Sequence, residues 1–325
     1  MNRKLLAISG ILASLVCFYL PTLAQERYPA RTVDVTVPFA AGGATDIAVR
    51  MVTEELQKIL KVPFTVTNRA GGAGSIGAAY VAQAKKDGYL ILGSTGPPIV
   101  HVPAITPNLP YDPIRDLTPS AHFVFAPILF AVREDAPWKS LEELISFAKK
   151  NPKKLTAGTP GTGSEPHFDL ELLRSSAGVD IIHVPFKGGG EIVPALLGGH
   201  VDIAISTTSA FAGQIAARKV KALAITYPKR LSAYPDIPTM AEKGYPGVSV
   251  NIFLGFYAPS GTPKDVLDTL EGAIKKVAET ETVIERAEKR GYIVHFMSGG
   301  ELKRYIERET AVVRKVAKEA GMITK

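Results

Sequence analysis

Apolar residues recur along this chain in short runs that switch between two periods. Val33-Asp34-Val35-Thr36-Val37 is short and β-branched and predicts a strand. Asp46 to Leu60 places Ile47, Met51, Val52, Leu56, Ile59 and Leu60 at helical spacing. Between them, Pro38 to Thr45 is a loop of small residues. Phe64 to Thr67 reads as a strand, Arg69 to Gly74 as a loop, Ser75 to Lys86 as a helix and Tyr89 to Leu92 as a strand. This β-loop-α alternation predicts a parallel sheet with helices on its faces.

The alternation restarts downstream. Strands are predicted at Ile128 to Arg133, Lys154 to Ala157, Ile181 to Pro185, Val201 to Ser206 and Val220 to Thr226. Helices are predicted at Ser140 to Lys150, Ser164 to Ala177, Glu191 to Leu197 and Ala210 to Ala217, the first with Ser140 as its cap and Glu143 three residues on. After Ile252 to Ala258 the chain turns at Pro259 to Pro263. It continues as one helix from Lys264 to Lys289, a strand at Tyr292 to Phe296 and a helix from Gly300 to Glu319. The first unit has only three clear strands of its own, so the C-terminal part is expected to complete it. The predicted fold is α/β, with two doubly wound lobes joined by a two-strand hinge. Residues 25–125 with 253–325 form domain 1 and residues 126–252 form domain 2.

The N-terminus is an address rather than structure. Arg3 and Lys4 precede an apolar run from Leu5 to Leu20, and Thr22-Leu23-Ala24 puts small residues at −3 and −1. This predicts a secretory signal peptide, residues 1–24, cleaved after Ala24, and a periplasmic mature chain. Cys17, the single cysteine, lies within it, and the residues before it lack the small side chain that lipid attachment requires. The mature chain therefore has no disulfide and no cysteine-built metal site. The formal net charge is +7 with two of the positive charges in the leader, and no run of five Lys or Arg occurs. A nucleic-acid footprint is not supported; a mild preference for anionic small molecules is.

Candidate chemistry sits in the loops. In open α/β sheets ligands bind beyond the carboxyl ends of the strands, where helices begin. The loops there are Phe39-Ala40-Ala41-Gly42-Gly43-Ala44-Thr45-Asp46, Ala70 to Ser75, and Gly93-Ser94-Thr95-Gly96 in the first unit. The second unit offers Gly158 to Ser164 with Thr162 and Gly163, then Lys187-Gly188-Gly189-Gly190, then Ser206-Thr207-Thr208-Ser209. Each is small and leaves backbone N–H groups at a helix start, which carries roughly half a positive charge. Two facing sets would form an anion site without arginine. The alternative is that tight β–α turns favour Gly and Ser for steric reasons alone. His167, in a helix's first turn, is either a ligand donor or a packed cap. Lys187 is either a ligand contact or solvent-exposed. Asp46 is either an N-cap or a partner for a ligand hydroxyl, amine or water.

Enzyme signatures are absent. Gly72-Ala73-Gly74-Ser75-Ile76-Gly77 matches G-x-G-x-x-G between a strand and a helix, but Leu92-Gly93-Ser94-Thr95 stands where the ribose-binding carboxylate should be. Gly74-Ser75 and Gly163-Ser164 have Ala73 and Thr162 where a nucleophile elbow has its first glycine. The histidines show no i,i+3 or i,i+4 pair. No cofactor and no metal are expected.

The loops, in this order, resemble the extracytoplasmic substrate-binding proteins of tripartite tricarboxylate transporters, the Bug family. The segments that carry the resemblance are Val37 to Asp46, Asn68 to Gly74, Pro160 to Ser164, His183-Val184-Pro185-Phe186-Lys187-Gly188, Leu197 to Asp202, Pro235 to Thr239 and Ala258 to Pro263. The resemblance implies a type II periplasmic-binding-protein fold that closes around one small carboxylate. The ligand would be held by the Ala40–Asp46 loop facing the Thr162–Ser164 loop. The loaded protein, a monomer, would dock on membrane permease subunits. The chain departs from the family pattern at Gly189-Gly190-Glu191-Ile192, at Phe253 and Phe256, and at Ser206-Thr207-Thr208. An exported α/β oxidoreductase or hydrolase acting on a small organic acid is the alternative, as is a subunit that presents its ligand to a membrane sensor kinase.

Overall fold

A computed structural model describes residues 27–186 and 189–323. The leader, with Cys17 and the cleavage position at Ala24, lies outside the described residues, as do Lys187 and Gly188.

The first stretch runs β1 (Val33–Val37), α1 (Ala44–Leu60), β2 (Phe64–Asn68), α2 (Ser75–Ala82), β3 (Leu90–Ser94), α3 (Val102–Ile105), α4 (Pro113–Asp116) and β4 (Leu117–Ala126). A π-turn over Pro97–His101 leads into α3. The middle runs β5 (Ile128–Arg133), α5 (Leu141–Lys150), β6 (Thr156–Thr159), α6 (Glu165–Ala177), β7 (Ile182–Pro185), α7 (Gly189–Leu197), β8 (Ile203–Thr207), α8 (Thr208–Ala216) and β9 (Val220–Ile225). The chain then returns through β10 (Ile252–Pro259), α9 (Lys264–Ala278), α10 (Glu281–Glu288), β11 (Ile293–Ser298) and α11 (Gly299–Glu319).

These strands form two sheets, one ordered β11-β4-β10-β3-β1-β2 and the other β7-β6-β8-β5-β9. Helices cover both faces of each. α1, α9 and α10 bury Val49, Val52, Leu56, Leu270, Ile274 and Val283 on one face of the larger sheet, and α2, α3 and α11 cover the other. In the smaller sheet α5 and α6 pack on one face, α7 and α8 on the opposite one.

Local chemistry accounts for the helix starts and stops, with one correction to the sequence reading: Gly43, not Asp46, is the N-cap of α1, and Asp46 is its third residue. Ser140 Oγ caps α5 by accepting from Glu143 N. Ser298 and Glu301 form a reciprocal capping box at α11. α1 ends at Lys61, which adopts the left-handed conformation (φ 60°).

Three features differ from the sequence reading. First, the sheets are mixed rather than parallel. β1 pairs in parallel with β2 and β3, but β10 runs antiparallel to β3 and β4, and β11 antiparallel to β4. β5 is antiparallel to both β8 and β9. The cause is connectivity: β4 carries the chain out through Pro127 into β5, and β10 brings it back, so neighbouring outgoing and returning strands must oppose each other.

Second, β4 is a central strand that the pattern did not reveal. It includes Pro119, Ser120 and His122 and is buried over most of its length, so period-two alternation has nothing to report.

Third, the helix expected over Lys264 to Lys289 breaks at Glu279–Thr280 into α9 and α10. Thr280 Oγ donates to the Lys276 carbonyl, and the Thr280 amide turns to Val277 instead of continuing the helical ladder.

The two passages between sheets lie side by side. Thr226 N donates to Ile128 O at 3.0 Å, while Thr226 Oγ accepts from Ile128 N at 3.3 Å and donates to Asn251 Oδ1 at 2.9 Å.

Candidate functional site

The β1–α1 loop is braced from beneath. Asp46, 3% exposed, accepts from Gly42 N at 2.9 Å, from Arg50 Nε at 3.0 Å and from Asn68 Nδ2 at 3.0 Å. Asn68 Nδ2 also donates to the Phe39 carbonyl at 2.9 Å, closing a ring around the loop. Burial pushes the Asp46 carboxyl up, but the hydrogen bonds from Arg50, Gly42 and Asn68 and the Arg50 charge outweigh it and hold it below the usual value. Its neighbour Thr45 reaches across the sheet, its hydroxyl 3.4 Å from that of Thr95.

The β6–α6 loop is held by its own helix. Ser164 is the N-cap, accepting from His167 N at 3.4 Å and donating to Gly161 O at 2.8 Å. His167 Nδ1 accepts from Gly163 N at 3.1 Å, and its ring stacks on His183 with centroids 3.8 Å apart. Gly163 has φ +80°, and a Cβ there would meet Ile105 Cδ1, in the first sheet's layer, at 2.6 Å. Glycine thus lets the loop of one lobe approach the other.

These two loops face each other across a cleft of about 390 Å³. Of the residues singled out from the sequence, Phe39, Thr45, Thr95, Thr162, Gly163, Ser164 and Thr207 line it. Ala40, Ala41 and Gly43 are exposed on the adjoining loop outside the wall, and Asp46 lies beneath it. Ser94 and Ser206 are buried behind the wall, Ser94 Oγ donating to Thr95 O at 3.0 Å, and His167 serves the loop rather than the cavity. Lys187 and Gly188 fall outside the described residues.

The sequence reading missed the apolar floor: Ala48 on α1, Val124 and Ala126 on β4, and Ile252 and Leu254 on β10. It also missed Tyr292, whose hydroxyl donates to Ala44 O at 2.8 Å, and Glu165, the first residue of α6. Only Glu165 left a local signal, a carboxylate directly after a capping serine.

A second cavity of about 650 Å³ shares Ala44, Ser209 and Tyr292 with the cleft. Lys229 and Arg230 from one lobe and Lys289 and Arg290 from the other line it. Glu288 lines it as well, and Arg230 is paired with Glu242 at 3.0 Å. No helix among the described residues is long and apolar enough to cross a membrane.

Comparison with known proteins agrees with this architecture. Residues 48–322 match the family model TctC, "Tripartite tricarboxylate transporter family receptor". Protein BugT of Bordetella pertussis is 31% identical over 319 residues, covering 98% of each chain. The structure of R. palustris Rpa4515 with adipate matches with TM-score 0.80 at 31% identity, over 90% of this chain and 98% of that one. MatC (Rpa3494) from Rhodopseudomonas palustris with bound malate matches with TM-score 0.76 at 32% identity, over 89% of this chain and 99% of that one. With two α/β lobes around one cleft and a match over most of its length, the chain belongs to the TctC family of tripartite tricarboxylate transporter receptors, which bind substrate and carry out no reaction.

Proposed function

We propose that this chain captures a small organic carboxylate between two lobes, residues 25–125 with 253–325 and residues 126–252, and hands it to membrane permease subunits. The observation that carries the reading is the convergence of two helix starts, α1 and α6, from different sheets on a single cleft. Such termini favour a carboxylate, and the hydroxyls of Thr45, Thr95, Thr162 and Thr207 add donors. Relatives described with adipate and malate support the same ligand class. The apolar floor suits the carbon skeleton between or behind the acid groups. Closure would bend the two side-by-side passages, bringing Thr162 and Ser164 onto a ligand first held by Thr45 and Thr95. The mature protein, freed of residues 1–24, works in the periplasm as a monomer.

The test is a thermal-shift screen of ligand-stripped mature protein against mono-, di- and tricarboxylates and aromatic acids. A ligand at 100 times its dissociation constant adds about 2.7 kcal/mol of stability. For a chain of this size the melting temperature rises by several degrees. A flat response across the acids, with a response to sugars or cations instead, would refute the reading.

A further inference from the structure

Among the described residues that line the cleft, Glu165 alone carries a charged side chain, and its charge has the wrong sign for a carboxylate site. It is the first residue of α6 and 4% exposed. Its carboxylate takes a hydrogen bond from its own backbone N–H, and Oε1 has no partner. Ionised Glu165 thus occupies the donor-rich helix start that an incoming anion would use.

Behind it lies a buried group of acids shared between the lobes. Asp169, one turn along α6, is fully buried; Oδ1 accepts from Val250 N at 2.9 Å and Oδ2 has no partner. α11, from the other lobe, packs on α6 and brings Tyr305 and Glu309 close enough for their charges to act on Asp169 and on each other. Tyr257 on β10 and Thr310 on α11 also have side-chain oxygens without partners. Arg308 acts on Glu309, and its pull is weaker than the effect of burial.

The other elements packed on α6 add no cation at this point. β6 and β8 contain no ionisable residue, and His101, whose ring lies 5.1 Å from that of Phe168, is kept neutral by burial with its pKa lowered to about 4. His167, the next ionisable residue on α6, accepts from Gly163 through Nδ1, and Glu171 pairs with Arg174 at 2.7 Å. Burial holds Glu165 and Glu309 up at about 7 and Asp169 well above its ordinary value. No three His, Cys, Asp or Glu among the described residues are disposed to hold a metal.

We propose that Glu165 makes ligand capture proton-coupled: ionised, it competes with the incoming carboxylate for the start of α6, and protonated, it donates a hydrogen bond to that carboxylate. The proton comes from solvent and adds to a Glu165 oxygen; no other bond changes. The inference rests on the carboxylate reading above. A ligand anion beside Glu165 favours its neutral form, so binding takes up a proton and affinity falls as pH rises through 7, approaching tenfold per unit for one proton.

The experiment is isothermal titration calorimetry of the mature chain with butyrate, malate, adipate, citrate and benzoate at pH 6, 7 and 8. At pH 7.5 each titration is repeated in phosphate and in Tris, whose ionisation enthalpies differ. The expected result is buffer-dependent heat corresponding to proton uptake, and affinity about fivefold weaker at pH 8 than at pH 7. Glu165→Gln should bind without proton uptake, with affinity independent of pH and about tenfold tighter than the parent at pH 8. Equal affinity from pH 6 to 8 with buffer-independent heat in the unaltered chain overturns the proposal, whatever the variant does. So does a folded Glu165→Gln that binds more weakly at every pH, because that marks Glu165 as the partner of a donor group on the ligand. If none of the five acids binds at any pH, the carboxylate reading itself fails and the proton coupling with it.

Discussion

Asp46 and Glu165 occupy the first turns of helices on opposite sides of one cleft, and their surroundings treat them in opposite ways. Asp46 receives Arg50, Asn68 and the Gly42 amide and is held below the ordinary carboxylate value. Glu165 has an unpartnered oxygen, and burial pushes it up to about 7. The same chemical group at the same place in a helix thus serves as a brace in one lobe and as a titrating gatekeeper in the other. Position at a helix start favours an anion by at most about 1–2 kcal/mol, and the neighbouring groups decide which protonation state results.

The contrast can be broken most strongly from the Asp46 side. Asp46→Ala leaves the Gly42 amide and Asn68 without their acceptor and should cost about 3 kcal/mol in urea unfolding, chiefly through lost hydrogen bonds. The Arg50 charge contributes less, because that side chain is 44% exposed and screened. A loss below about 1 kcal/mol would show that the loop holds itself without the brace.

The pH dependence of stability sharpens the comparison next. Glu165 and Glu309 have raised values, so between about pH 5 and 7 the folded chain holds protons that the unfolded chain has released. Stability should therefore fall by about 2 kcal/mol for each of the two groups across that window and level off above about pH 8. Asp46 acts with the opposite sign. Its contribution is complete above the ordinary carboxylate value and is lost only as pH falls through its lowered one. Urea midpoints from pH 2 to 8 read both limbs, and a steady rise from pH 5 to 8 would contradict the assignment of the buried acids.

Smaller effects concern the caps. Ser164→Ala removes the acceptor for His167 N and the tie to Gly161, costing about 1 kcal/mol and weakening ligand binding several-fold by calorimetry. Unchanged affinity would remove Ser164 from the proposed contacts. Tyr292→Phe, which severs the 2.8 Å bond to Ala44 O, should lower the melting temperature by only a degree or two. No change would mean that water replaces the phenol without loss.

Much of this arrangement was legible along the chain. The α1 stripe, the Ser140 cap and the small-residue turns were readable because each depends on residues within about one helical turn. Gly74 at φ +94° belongs to the Gly-rich turn before α2, where an added Cβ would lie 3.2 Å from the Phe39 ring. That requirement too could be read as a glycine in a β–α turn. The break at Thr280 was locally encoded but invisible to periodicity, because Val283 and Ala287 continue the apolar pattern across it. β4 was hidden because a strand flanked by β10 and β11 and covered by helices need not alternate.

Short-range chemistry along the polymer thus decided which segments coil, which extend and where small residues cluster at the turns. Contacts between distant segments decided the rest: the opposed directions of β4 and β10, their apolar side chains flooring the cleft, and the packing of α6 on α11 that leaves Glu165 among acids. Direction, neighbourhood and protonation depend on groups brought together only when the chain folds, and no stretch of residues carries that information by itself.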